Sequence, residues 1–254
     1  MSLPLGAVGQ KRVLCADQRS ILLPMCNLYS NTLSTTEMRR LFAVGATHDR
    51  LGNAEPLPAI FPKGMSPIVG IDADGTRWLQ NAHWGFVLPQ VSQKTGKPIQ
   101  PKAVNNARDD KLQHSRFWMK SFEDRRCLIP ATSFCEPKGR NPATYVWFGV
   151  KGDGVRPPFA LAGIWRVFKG NYGGDENREI VTSSMVTTTP NALTKETHPD
   201  RMPMILDPND YEKWLTGTPD EAFALIRSFP ADSMVIHQSG EGLKSDPAGL
   251  ELSG

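Results

Sequence analysis

The sequence contains no long hydrophobic run and no strong excess of charge of either sign. No stretch reaches the roughly 18 consecutive apolar residues of a membrane-spanning helix, so we expect no membrane partner. The first residues, MSLPLGAVGQKRVLCADQRSILLP, carry scattered charges and no continuous apolar core, which is not the pattern of a signal peptide. With 29 Lys and Arg against 26 Asp and Glu, the net charge of +3 is too small to indicate a nucleic-acid-binding protein by itself.

Cysteine is scarce as well, with four residues: Cys15, Cys26, Cys127 and Cys135. They form no CxxC pair and have no histidine at zinc spacing, so they predict neither a disulfide framework nor a metal site. There is also no Walker loop, no GxGxxG after a strand, no HExxH and no GxSxG. We therefore expect no metal and no organic cofactor, and a reducing cytoplasm as the location.

Turn-forming residues are abundant instead, with 21 prolines and 22 glycines, which favours many short strands. We predict a hairpin within 66–86, where Asp74-Gly75 supplies the tight turn. Further strands are predicted in the β-rich runs 125–136, 143–150, 159–168, 178–188 and 201–206, and in the late segment SMVIHQS.

Helix signals are fewer and lie mainly near the two ends. Ser34 and Glu37 match a capping box, which predicts a short helix over 35–44. Apolar spacing predicts another helix over 107–122, after a basic, polar loop at 90–105. The segments DPNDYEKWL and TPDEAFALIRSF each begin with an N-cap residue followed by proline, which predicts two closing helices.

This order of elements predicts an α+β fold, because strands mostly follow strands and helices stand apart from them. We predict one domain over 25–240, followed by a loose tail at 241–254. Residues 1–24 are interpreted as an unstructured leader that is either removed or results from a misassigned start. The reason is MCNLYS at 25–30, which reads like the beginning of a protein although 24 residues precede it.

Four polar residues stand in apolar or proline-flanked settings. They are Cys26 after Met25, Asn106 in VNNARDD, Glu136 in TSFCEPKGR and His198 in KETHPDRMPMIL. Taken singly, each has an ordinary structural explanation as a buried thiol, a turn residue, a solvated carboxylate or a capping histidine. None of them alone supports a functional assignment.

Taken together, several strings occur in a characteristic order: MCNLYS, WGFVLP, NNARDD, RRCLIPATSFCEP, AGIW and VTTTPNALTKETHPDRMPMIL. From Met25 to about Trp214 the chain thereby resembles the SRAP family, the SOS-response-associated peptidase-like proteins that shield abasic sites in DNA. The resemblance implies a single α+β domain with a β-rich, barrel-like core flanked by helices. It also implies that Cys26 becomes the N-terminal residue, through removal of the initiator Met or self-processing of a longer leader.

An N-terminal cysteine carries an amine and a thiol on one residue. The α-amino group has a pKa of about 8 and attacks an aldehyde when neutral, and the thiol has a pKa of about 8.5. Attack of the thiolate on the resulting imine closes a five-membered thiazolidine ring. The ring-opened sugar of an abasic site is such an aldehyde, so the product is a covalent DNA–protein crosslink.

The resemblance implies roles for the other three residues of the catalytic set. Glu136 would shuttle protons during opening of the sugar ring and dehydration to the imine. His198 would assist proton transfer and hold the sugar or its phosphate. Asn106, which is both donor and acceptor, would orient the amine of Cys26.

Four further residues are candidates for binding DNA. Arg108 is expected to contact a phosphate next to the lesion, because a guanidinium pairs bidentately with that group. Thr187 and Arg201 are weaker candidates for the same groove. Trp84 is a candidate for stacking on a base, and a core aromatic position explains it at least as well.

The chain departs from the family pattern at three positions. Leu28 stands two positions after the cysteine, where many members carry a basic residue, and Cys135 and Pro137 flank Glu136, where many members carry aromatics. We expect these differences to affect DNA affinity more than the crosslinking chemistry.

Two other functions remain open from the sequence. A cysteine peptidase would use Cys26 with His198 and either Asn106 or Glu136, and needs the thiol but not the free amine. A plain nucleic-acid-binding module would use the basic loops at Lys94–Lys102 and Lys138–Arg140. The function that we favour predicts single-stranded DNA with abasic sites as the partner, a monomer, and a cytoplasmic protein associated with the nucleoid.

Overall fold

The computed structural model describes residues 26–248, and the leader expected at 1–24 lies outside them. The strands are β1 (Tyr29–Asn31), β2 (Leu57–Ile60), β3 (Met65–Ile71), β4 (Arg77–Trp84), β5 (Phe86–Val91), β6 (Pro98–Val104), β7 (Asn106–Arg108), β8 (Arg126–Ala131), β9 (Ser133–Lys138), β10 (Thr144–Val150), β11 (Phe159–Tyr172), β12 (Asp175–Thr188), β13 (Met202–Pro203), β14 (Ile205–Leu206) and β15 (Met234–Glu241). The helices are α1 (Thr35–Leu41), α2 (Asp109–Leu112), α3 (Met119–Asp124), α4 (Ala192–Lys195), α5 (Tyr211–Thr216) and α6 (Pro219–Ala224). None of these helices is long and apolar enough to cross a bilayer.

Five strands close into a barrel. The pairs β12–β4, β4–β3, β3–β8, β8–β11 and β11–β12 complete a ring, in which only β12–β4 is parallel. Closure leaves these strands without free edges along the ring. The prediction of an α+β fold with a barrel-like core flanked by helices is confirmed.

A second sheet packs beside the barrel, in the order β15–β10–β9–β1–β2, and all of its pairs are antiparallel. Successive side chains of a strand point to opposite faces of the sheet, so alternate residues of the barrel strands belong to two different hydrophobic clusters. Val69 and Leu128 pack with the helices, whereas Ile68 and Ile129 pack with the second sheet. The two faces of the barrel strands therefore contribute to two separate parts of the core, one shared with the helices and one shared with the five-stranded sheet.

The local signals in the sequence produce the expected elements. In the β3–β4 hairpin, Gly75 has φ +84°, and its N–H bonds to the carbonyl of Asp72 at 3.0 Å. The capping box of Ser34 and Glu37 is present at the start of α1, which ends at Leu41, short of the expected residue 44. The two closing helices are confirmed as α5 and α6.

Two stretches differ from the prediction. The segment 90–105 is not a loop, because β5 and β6 pair as a hairpin. The helix expected over 107–122 is not continuous, because its first two residues pair with β12 as part of a strand and residues 113–118 separate the short helices α2 and α3. Where the strands form, at β5, β6 and β7, pairing with another strand overrides the local preference.

Residues 241–248, expected to belong to a loose tail, are held against the domain. Asp246 is 1% exposed, and its carboxylate accepts hydrogen bonds from Arg156 Nε at 2.8 Å and Ser133 Oγ at 2.6 Å. The indole of Trp147 also donates to the carbonyl of Leu243 at 2.8 Å. The expectation of a loose tail is therefore wrong for this part of it, because a buried carboxylate binds an arginine and a serine of the core.

Candidate functional site

Cys26 lies three residues before β1, at the junction of the second sheet and the barrel. It is 1% exposed, and its main-chain carbonyl accepts hydrogen bonds from Asn105 Nδ2 at 3.2 Å and Asn106 Nδ2 at 3.0 Å. Its Sγ lies 3.6 Å from the carbonyl oxygen of Leu28. The two amides fix the orientation of the residue, and with it the direction of its nitrogen and its thiol.

Both asparagines are themselves held in place. Asn106 begins β7 and pairs with Met185 of β12, which anchors it to the barrel. The side-chain amide of Asn105 also donates to Asn27 Oδ1 at 2.9 Å. The main-chain carbonyl of Asn105 accepts a hydrogen bond from the indole N–H of Trp84 at 3.0 Å. Asn105 was not singled out from the sequence, although the doubled asparagine in VNNARDD was a visible signal.

Glu136 lies in the interior of β9, with its carboxyl group turned towards Cys26. It is 1% exposed, and neither carboxyl oxygen makes a hydrogen bond of good geometry with another described residue. Burial raises the pKa of Glu136 well above its ordinary value, and the main-chain N–H and thiol of Cys26 oppose that effect more weakly. The group is therefore a buried acid that faces the two nucleophilic atoms of one residue.

The thiol of Cys26 is also held in its neutral form. Burial raises its pKa well above the ordinary value, and the nearby Glu136 adds to the effect. The sulfur therefore becomes a nucleophile only when its proton is transferred during the reaction.

His198 follows α4 and is 1% exposed. Its Nδ1 accepts a hydrogen bond of 3.3 Å from the main-chain N–H of Arg201, so the neutral ring carries its proton on Nε2. That Nε2 has no partner among the described residues. His198 is therefore a buried hydrogen-bond donor that has no acceptor among the described residues.

The candidates for DNA binding differ in exposure. The side chain of Arg108 is 43% exposed and forms an ion pair with Asp110, from Nε to Oδ1 at 2.9 Å. Thr187 is 1% exposed, and its Oγ1 lacks a partner within the described part of the chain. Arg201 is 7% exposed and binds Asp109 and the carbonyl of Thr187. Only Arg108 reaches the surface.

Trp84 occupies a core position. It is fully buried, and its ring meets that of Tyr29 edge-on at a centroid distance of 4.9 Å. The expectation that Trp84 stacks on a base is not supported, because its ring faces are covered by the core. Leu28 is buried too, packed with Cys135 and Trp147, so position 28 does not present a side chain to solvent.

The structure brings Cys26, Asn106 and Glu136 into contact, and it links them to His198 through β12 and Arg201. Buried polar atoms without a partner are rare in folded proteins, since each costs the desolvation of that group. Within residues 26–248, several of them belong to this set: Asn106 Oδ1, Glu136 Oε1 and Oε2, Thr187 Oγ1 and His198 Nε2. Such a group is typical of a site whose ligand supplies the missing partners. No cluster of three His, Cys, Asp or Glu that would hold a metal occurs in the described residues.

Comparison with known proteins gives consistent matches. The chain is 31% identical over 163 residues to the abasic site processing protein YoqW of Bacillus subtilis, covering 63% of this chain and 68% of YoqW. It is 28% identical over 211 residues to YoaM of the same organism, which is also named an abasic site processing protein, covering 78% of this chain and 88% of YoaM.

Solved structures share the fold. A Bordetella bronchiseptica protein superposes with a TM-score of 0.65 at 22% identity, over 85% of this chain and 99% of that one. A Bacteroides thetaiotaomicron protein gives a TM-score of 0.64 at 20% identity, over 85% and 91%. The family model of the SOS response associated peptidase matches residues 25–243, which is most of the sequence. The chain belongs to the SOS response associated peptidase (SRAP) family.

Proposed function

We propose that this protein senses and processes abasic sites in DNA, and that Cys26 forms a thiazolidine crosslink with the sugar aldehyde once it is the N-terminal residue. The observation that carries the proposal is the buried carboxyl of Glu136, which faces both the nitrogen and the thiol of Cys26. The names of the relatives YoqW and YoaM support the same substrate. We expect single-stranded DNA as the partner, a monomeric protein, and a cytoplasmic location at the nucleoid.

The chemistry requires three bond changes, and the site supplies the proton transfers. The amine of Cys26 adds to the aldehyde carbon, and loss of the resulting hydroxyl as water gives a protonated imine. Burial favours the protonated form of Glu136, which would donate the proton that the departing hydroxyl needs and become a carboxylate. That carboxylate takes up the thiol proton as the sulfur bonds to the former aldehyde carbon, so that the ring nitrogen is left neutral and Glu136 is protonated again. The net reaction releases one water.

His198 and Asn106 would hold the reacting groups. The unpartnered Nε2–H of His198 is suited to donate to an oxygen of the sugar or its phosphate. The Asn106 amide keeps the Cys26 carbonyl in place, so that the amine and thiol of the same residue stay aimed at one carbon.

A cysteine peptidase is the second candidate, because the family is named for such an activity. A peptidase of this kind pairs its thiol with a histidine. The hydrogen bonds of the Cys26 thiol among the described residues go to the carbonyls of Leu28 and Cys135 instead. This arrangement favours the crosslinking function, and a single self-cleavage that exposes Cys26 is compatible with it.

The test uses protein that begins at Cys26 and a single-stranded oligonucleotide with one abasic site, resolved on a denaturing gel. We expect a shifted band that survives heat and denaturant. The band should be absent when residues before Cys26 are retained, when Cys26→Ser replaces the thiol, and when the abasic aldehyde is first reduced to an alcohol.

Each control removes one reacting group. No band with a verified free Cys26 would refute the crosslink and favour the peptidase. Salt-sensitive binding on a native gel, with no covalent band, would instead favour a plain nucleic-acid-binding module.

A further inference from the structure

A tight turn of unusual composition connects β2 to β3, at residues 61–64. The N–H of Gly64 bonds to the carbonyl of Phe61 at 2.9 Å, Pro62 occupies the second position, and Lys63 at the third has φ +74°. This is the pattern of a type II turn, whose third position is normally glycine or asparagine because φ is positive there. Here the position is occupied by lysine.

Lys63 is a costly residue for this backbone conformation. A side chain on an L-residue is strained at positive φ, and strained backbone positions cluster at active sites and ligand-binding sites. Lys63 is exposed, so burial of its side chain gains nothing that would offset the strain. Gly64, by contrast, is required, since a Cβ there would lie 2.9 Å from the Phe61 carbonyl oxygen.

The lysine lies between two exposed apolar side chains. Phe61 is 47% exposed and Met65 is 50% exposed, whereas their neighbours Ile60 and Ser66 are buried. An aromatic ring and an ammonium group are thus presented together to solvent by a turn that proline and a hydrogen bond make rigid.

The turn is joined to the site around Cys26 by direct contacts. The N–H of Lys63 bonds to the carbonyl of Trp84 at 2.8 Å, and the N–H of Trp84 bonds to the carbonyl of Gly64 at 2.9 Å. The indole of Trp84 binds Asn105, whose amide holds the Cys26 carbonyl. The turn is therefore part of the same rigid support as the reacting residue.

We propose that this turn binds a nucleotide next to the abasic one, with Phe61 stacked on its base and Lys63 at its phosphate. The proposal rests on the function proposed above, since it places the flanking strand beside Cys26. Aromatic stacking on bases and cations along the backbone are the two contacts by which proteins hold single-stranded DNA. Both are present on this turn, which is joined to Cys26 through Trp84 and Asn105.

The test measures equilibrium binding of the protein to single-stranded oligonucleotides that carry tetrahydrofuran, which lacks the aldehyde, at the lesion. One oligonucleotide has ordinary bases on both sides, and a second has further tetrahydrofuran residues there instead. We expect Phe61→Ala to weaken binding of the first about tenfold, as loss of one stacked base does, and to leave binding of the second unchanged.

Lys63→Gly tests the phosphate contact without harming the fold. The slope of log K against log salt should fall in magnitude by about 0.7, the value for one phosphate contact on a single strand. The melting temperature should stay the same or rise, because glycine adopts positive φ without strain.

Two matched variants serve as controls. Asn177→Gly also places a glycine at a position of positive φ, here +54°, on the β11–β12 hairpin. Lys169→Ala removes a cation that pairs with Glu179 at 2.7 Å on that hairpin. Neither control should alter the salt slope.

The outcomes separate this proposal from the function on which it rests. Unchanged affinity in Phe61→Ala with an unchanged slope in Lys63→Gly would overturn it, as would an equal loss on both oligonucleotides. If the base-dependent loss and the smaller slope are seen, the turn is established as a nucleotide site. The crosslinking gel with an aldehyde oligonucleotide reports separately on the chemistry of Cys26.

Discussion

The side-chain amide of Asn106 donates a hydrogen bond of 3.0 Å to the main-chain carbonyl of Cys26, across 80 residues of sequence. Asn105 donates to the same oxygen at 3.2 Å, so two consecutive side chains hold one carbonyl. This arrangement restrains the residue whose nitrogen and sulfur are both expected to react. The contact thereby connects β7, which pairs with the barrel strand β12, to the proposed chemistry.

The two amides should act as a coupled pair. Asn106→Ala should slow crosslinking by about fivefold, the equivalent of one hydrogen bond of ~1 kcal/mol, because Asn105 still holds the carbonyl. The double variant with Asn105→Ala should lose more than the product of the two single effects, since the carbonyl is then left without a partner. Crosslinking rates at saturating oligonucleotide measure this, and strictly multiplicative effects would contradict the coupling.

Glu136 should make the stability of the full chain depend on pH. Its pKa is raised in the folded protein by burial, so between the ordinary pKa of about 4.3 and the raised value the folded state retains a proton that the unfolded state has lost. The free energy of unfolding should therefore fall as pH rises through that window, by about 1.4 kcal/mol per pH unit from this group.

Glu136→Gln removes this titration and keeps the shape of the side chain. Urea unfolding of the wild type and the variant, at a series of pH values above 4.3, gives the difference directly. A pH-independent difference between them would show that Glu136 is ionised in the folded protein. The same variant should also slow crosslinking, because an amide cannot donate and recover the proton.

Asp246 should be important for stability although it lies near the end of the described chain. Asp246→Ala leaves the guanidinium of Arg156 without its buried partner, and loss of one member of a buried pair costs about 3–5 kcal/mol. Asp232→Ala, at an exposed carboxylate, is the control and should change stability by less than about 0.5 kcal/mol. Equal midpoints of urea unfolding for the two variants would show that the segment 241–248 contributes little.

Trp84 should matter for stability and not for stacking on DNA. Trp84→Phe removes the indole N–H that binds the Asn105 carbonyl, which costs about 1–3 kcal/mol for an unsatisfied buried acceptor. The salt dependence of binding to single-stranded DNA should stay unchanged. A variant with wild-type stability and a large loss of DNA affinity would show that this ring reaches the substrate.

The local parts of this structure were predictable from sequence because their causes are local. The Asp74-Gly75 turn and the capping box of Ser34 and Glu37 depend on residues within three positions of each other, and both formed as expected. The ordered motifs around Cys26 and Glu136 also identified the family that the comparisons show.

Other features follow from contacts between distant parts of the chain. The segment 90–105 has the composition of a loop and became a hairpin, and Ala107 and Arg108 left their expected helix to pair with β12. Burial of Trp84 and the restraint of the tail by Asp246 likewise depend on neighbours far away in sequence.

The sequence by itself determined the reactive residue types, the turns and the helix caps, since these depend on covalent chemistry and on neighbouring residues. Only the tertiary structure decided that Glu136 is a buried acid beside Cys26, because its pKa depends on desolvation by residues from other strands. The same is true of Lys63, whose positive φ belongs to the tight turn that connects β2 of the second sheet to β3 of the barrel and cannot be inferred from the residue itself.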